Sequence, residues 1–109
     1  MKLIIGEPGS GKTKEILALS SINNVPILCE SQERVTRLIT KAQGYGYKIP
    51  TPVVYNEIDD SVKTVYVDDI ERLLKAMLPC NVDIITYNAE DKGNIKKTNS
   101  FFHKKTTKL

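Results

Sequence analysis

Gly6-Glu7-Pro8-Gly9-Ser10-Gly11-Lys12-Thr13 fits the pattern G-x-x-x-x-G-K-[ST]. Leu3-Ile4-Ile5 precedes it and predicts a short buried strand. Lys14, Glu15, Leu17 and Ala18 follow around an apolar face of Ile16, Leu17 and Leu19, predicting a helix from Lys12 or Thr13 to about Ser20. A glycine-rich turn between a strand and a helix has a mechanical use. Its glycines take backbone angles closed to other residues and aim main-chain N–H groups inward, and the positive end of the following helix adds to them. The product is an anion cradle suited to phosphate.

Outward from this loop, apolar runs alternate with segments of helical period, the pattern of β-α-β units with a mostly parallel sheet. Val25-Pro26-Ile27-Leu28-Cys29 predicts a second strand with Pro26 at its start, where a missing N–H is tolerated. Ser31 is placed to cap a second helix whose stripe is Val35, Leu38, Ile39 and Ala42, ended by Gly44-Tyr45-Gly46. Ile49-Pro50-Thr51-Pro52 must be extended, and Val53-Val54-Tyr55 adds a short edge strand. Val62 to Val67 predicts another strand. Ile70, Leu73, Leu74, Met77 and Leu78 form the clearest amphipathic stripe, stopped by Pro79. Val82 to Tyr87 is a further β-rich run, and from Asn88 onward no period is visible, so an irregular tail is expected.

A phosphate-binding loop of this kind needs an acid across the sheet to hold the Mg2+ water shell, in the form of apolar-leaning residues ending in aspartate. Thr64-Val65-Tyr66-Val67-Asp68 has that form. The expected metal residues are therefore Thr13, through its hydroxyl, and Asp68. Lys12 is expected to reach the β- and γ-phosphates, and Gly6, Glu7, Pro8, Gly9, Ser10, Gly11 and Thr13 to line the nucleotide. Asp69 has two open roles. It stands where a carboxylate can polarise an attacking water, and it is also a good N-cap for the helix beginning at Ile70. Thr86 or Asn88, at the end of the 82–87 run, is a candidate polar contact to the γ-phosphate. A plain strand end in turn-forming residues explains the same pattern.

On these two motifs, residues 1–88 resemble the P-loop NTPase superfamily, in its RecA-like and AAA-type branch. The resemblance implies a three-layer α/β fold, a mostly parallel sheet of roughly four or five strands flanked by helices, with nucleotide outside the carboxyl edge and Mg2+ between Thr13 and Asp68. In its spare size and its Lys- and Asn-rich composition the chain is also similar to small P-loop proteins encoded by bacteriophages. Neither an Asn-Lys-x-Asp guanine motif nor an Asp-x-x-Gly switch is present, which argues against a Ras-type GTPase and leaves ATP by elimination. The lid and arginine cluster of nucleotide kinases are missing too. The chain has Arg34, Arg37 and Arg72 alone, and none is assignable as an arginine finger. A finger is worth roughly 10³–10⁵ in rate, so slow hydrolysis is expected unless a partner protein or self-assembly supplies one.

Composition narrows the classes further. A chain of 109 residues, 40% hydrophobic, can bury one core. No apolar run approaches the roughly 20 residues of a membrane span. The apolar start is too short for a signal peptide, so a cytoplasmic protein is expected, in the host cytoplasm if phage-encoded. Cys29 and Cys80, with His103 the single histidine, form no zinc pattern. Residues 1–88 carry ten Lys/Arg and eleven Asp/Glu, a balance of −1, whereas residues 89–109 carry six lysines against Glu90 and Asp91, a balance of +4. The resemblance implies that residues 1–88 form a P-loop nucleotide-binding domain, and 89–109 are expected to be a basic, irregular tail, where Lys92, Lys96, Lys97, Lys104, Lys105 and Lys108 flank Phe101-Phe102. Such a tail can hold single-stranded nucleic acid by charge and stacking, or simply solubilise the chain.

Three readings follow: a Mg-dependent ATP-binding protein with slow or partner-activated ATPase activity; a nucleotide-stabilised module that docks on a replication, packaging or defence factor without chemistry; and a nucleic-acid-binding accessory protein using the tail.

Overall fold

A computed structural model of the chain describes residues 1–89 and 92–98. The elements run β1 (Leu3–Gly6), α1 (Lys12–Asn23), β2 (Ile27–Cys29), α2 (Gln32–Tyr45), β3 (Val53–Val54), β4 (Tyr66–Val67), α3 (Ile70–Met77) and β5 (Ile95–Thr98). The protein is α/β and its strand pairings are all parallel. The five strands among the described residues fall into two sheets, β1-β5 and β3-β2-β4, where the sequence pattern predicts one. The chain folds as two compact units, Thr13–Asp83 and Met1–Lys12 with the described residues from Ile84 onward.

In the larger unit β2 is central. Leu28 and Cys29 pair with Val53 and Val54 on one side, and Ile27 and Leu28 pair with Tyr66 and Val67 on the other. A strand covered on both faces has no polar side to show, which is why Ile27-Leu28-Cys29 is continuously apolar. Ile16 and Leu17 of α1, Val35, Leu38 and Ala42 of α2, and Val54 close over Ile27 and Cys29 as one core.

The helix ends follow from their capping residues. Ser31 takes the amide of Arg34 on its hydroxyl at 3.2 Å and opens α2. Gly46, left-handed at φ 77°, closes it, with the amides of Gly46 and Tyr47 returning to Gln43 and Ala42. Gly44 lies within the helix. α1 runs three residues past the expected Ser20, because the Ser20 hydroxyl is satisfied by the Val25 carbonyl at 2.7 Å and the stop falls at Asn24, left-handed at φ 55°. α3 starts on Asp69 and ends at Met77. Only Leu73 of its apolar stripe is buried.

In the smaller unit β1 lies parallel to β5, with Leu3 opposite Ile95 and Gly6 opposite Thr98. Two expectations are corrected here. Val82 to Tyr87 is not a strand: the segment is irregular, Ile84 and Ile85 are 81% and 61% exposed, and the Tyr87 hydroxyl bonds the Met1 carbonyl. Ile95–Thr98, expected to be irregular, is the strand. Pairing decides strand identity more than local pattern does, and β5 holds the place beside β1. Phe101, Phe102, His103, Lys104, Lys105 and Lys108 lie outside the described residues, as do Glu90 and Asp91. Among the described residues no helix is long and apolar enough to cross a membrane.

Candidate functional site

The glycine loop is built by a turn. The Ser10 amide bonds the Glu7 carbonyl at 3.1 Å, with Pro8 and Gly9 between them. Pro8 presets the first central residue, and Gly9, at φ 79°, takes the left-handed angle that the second requires. Gly11 is also left-handed, at φ 92°, immediately before α1 begins at Lys12. Lys12 bends back over this loop, its Nζ donating to the Gly6 carbonyl at 2.8 Å and the Glu7 carbonyl at 2.7 Å. The ammonium is thus held beside the loop by groups that an anionic ligand can replace.

Gly6 meets a different constraint. A Cβ there would strike the Thr98 and Ser10 hydroxyls and the Thr98 carbonyl. The Ser10 and Thr98 hydroxyls are 2.6 Å apart, and that of Thr98 also reaches the Ile5 carbonyl at 3.4 Å. Thr98 is therefore the polar strand-end residue against the loop, the position that the sequence pattern assigns to Thr86 or Asn88. Asn88 lies exposed in the irregular segment.

In the larger unit the Thr13 hydroxyl donates to both Asp68 oxygens, at 3.3 and 3.4 Å. Asp68 directly follows β4, at the carboxyl end of the β3-β2-β4 sheet, where ligands of parallel sheets collect. Arg34 completes the cluster: its Nη2 is 2.7 Å from Asp68 Oδ2, and the two side chains are only 10% and 7% exposed. Asp69 points to other work. Its backbone is left-handed at φ 66°, its Oδ1 takes the Arg72 amide at 3.3 Å, and its Oδ2 lies 3.5 Å from Arg72 Nε.

Hydroxyl and carboxylate oxygens are hard donors of the kind Mg2+ prefers. Among the described residues no group of three or more His, Cys, Asp or Glu gathers that could hold a metal ion. Thr13 and Asp68 together offer one hydroxyl and one carboxylate. At Cys29, at the end of β2, burial pushes the thiol pKa up, which disfavours the thiolate. A groove around Ala42, Gly46, Tyr47 and Ile49, by the far end of α2 from Arg34, contains none of the expected site residues.

The sequence pattern leaves both Thr98 and Arg34 unassigned. Thr98 follows a short Ile-Lys-Lys run without alternation. Arg34 does carry a signal: a cation in the first turn of a helix opposes the helix dipole, so it needs a specific acid to hold it there. No protein-family model, curated protein or solved structure matches the chain.

Proposed function

We propose that this protein binds Mg-ATP through Gly6–Thr13, as a P-loop protein whose ATP hydrolysis is slow or depends on a partner. The observation that carries the proposal is the agreement of motif and conformation. Gly9 and Gly11 take left-handed angles, Lys12 rests on the loop's own carbonyls, and Thr13 faces the acid predicted for the metal. Loop amides and Lys12 would hold the triphosphate. Thr13 and Asp68 would hold the Mg2+, which when bound offsets the charge of the phosphates.

A thermal-shift titration tests this. A ligand at a hundredfold its Kd adds about 2.7 kcal/mol, on the order of 10 °C or more for a domain of this size. Mg-ATP should raise Tm by that order and Lys12→Ala should abolish the rise. No shift in the unaltered protein at millimolar ATP overturns the proposal.

One observation favours a second reading, a nucleotide-stabilised docking module without chemistry. The Asp69 carboxylate is engaged in capping α3 and in contact with Arg72, which leaves no assigned group to activate water. Phosphate release above background, lost in Asp69→Ala, decides for the ATPase. ATP binding without release decides for the module.

A further inference from the structure

Asp68 is a buried carboxylate, and a buried carboxylate needs a countercharge. Arg34 supplies it, with its Nη2 2.7 Å from Asp68 Oδ2. The Thr13 hydroxyl bond is compatible with a metal, because a hydroxyl can give a lone pair to a cation while its own O–H still donates to Asp68. The Arg34 contact is not compatible in the same way, since guanidinium and Mg2+ seek the same carboxylate charge.

The grip is also incomplete. Among the described residues Arg34 holds Asp68 through Nη2 alone, while its Nε is buried with no hydrogen-bond partner. A guanidinium and a carboxylate can form two parallel bonds, and a one-point contact that strands the third nitrogen is easier to open.

We propose that Arg34 is a built-in competitor of the metal: Arg34 and Mg2+ compete to neutralise Asp68, and Mg2+ loading requires the Arg34–Asp68 ion pair to loosen. This rests on the reading of Thr13 and Asp68 as the Mg2+ residues. The device sets a threshold, so that Mg2+ is accepted together with the phosphates and not alone. Competition of this kind is a coupling free energy, and typical couplings change an affinity roughly 5- to 150-fold.

The test is the apparent Mg2+ affinity measured by calorimetry at saturating ATP. Arg34→Gln removes the charge and should tighten Mg2+ binding about tenfold, whereas Arg34→Lys keeps a cation and should stay within about threefold of the unaltered protein. Unchanged or weaker Mg2+ binding in Arg34→Gln overturns the proposal. A measurement on the unaltered protein covers the case in which that variant does not fold. The Arg34 Nε–H resonance, identified by its loss in Arg34→Lys, should shift when Mg2+ is added to the ATP complex, compared with ATP in chelator. A resonance indifferent to Mg2+ overturns the proposal. ATP bound with either negative result leaves the nucleotide-binding function standing and removes the competitor alone. Failure to bind ATP under any condition overturns the function and the competitor together.

Discussion

Gly6 has no room for a methyl group. The atoms a Cβ would strike are the hydroxyls of Ser10 and Thr98 and the Thr98 carbonyl. Gly6→Ala should therefore cost about 1–3 kcal/mol as an overpacking change, read from denaturant midpoints. Adding Thr98→Ala should recover part of that loss but not all, because the carbonyl stays. Equal stability of Gly6→Ala and the unaltered protein would show that β5 does not press on the loop. At this scale the sequence speaks clearly where chemistry dictates residue type. The loop glycines, Lys12, Thr13 and Asp68 stand out because each job proposed for them admits few side chains. Thr98 is silent, since its partner Ser10 lies 88 positions away and no local pattern records that meeting. For Asp69, two roles were legible in the sequence, and the capping bond to the Arg72 amide is the contact seen.

α3 shows what periodicity reveals at the scale of an element. The stripe Ile70, Leu73, Leu74, Met77 and Leu78 predicts a helix stopped by Pro79, and the helix is there as Ile70–Met77, with Leu78 its extended C-cap. The same stripe assigns its members equal standing, and burial does not. Leu73 is 5% exposed and Ile70 is 44% exposed. Leu73→Ala should cost about 2–5 kcal/mol and Ile70→Ala less than about 1 kcal/mol, compared by chemical denaturation. Similar costs at the two positions would mean that the whole stripe is covered in solution. The strands are the weaker case. Val82 to Tyr87 has the composition of a strand and is irregular, whereas Ile95–Thr98 carries two lysines and is paired. Helices close their hydrogen bonds within themselves, so their sequence suffices to foretell them; a strand's bonds belong to a neighbour the local sequence does not name.

Over the whole molecule the pattern of alternating runs foretells the α/β class and the parallel pairing, because such strands need crossover helices between them. The division of the strands between two sheets is not foretold, since register and partner are long-range properties. Stability should be uneven to match. Native-state hydrogen exchange should find the slowest amides in Ile27–Cys29 and the buried turns of α2, and the fastest in residues 81–89, which hold no regular structure. Mg-ATP should slow the amides of residues 7–12 in particular. Uniform protection along the chain would contradict this division.

The parallel contact of β1 with β5 also has a consequence in time. Ser10 and Thr98 are separated by 88 positions, so at synthesis rates of about 5–20 residues per second Ser10 leaves the ribosome roughly 4–18 s before its partner. Thr13, Arg34 and Asp68 are all translated before then. A nascent or prematurely terminated product can thus carry the acid and its counterion while the loop still lacks the strand that seats it. Seating of the Gly6–Thr13 loop against β5 is tied to translation past Thr98, so under the proposed function nucleotide capture would be a late event in the life of each chain.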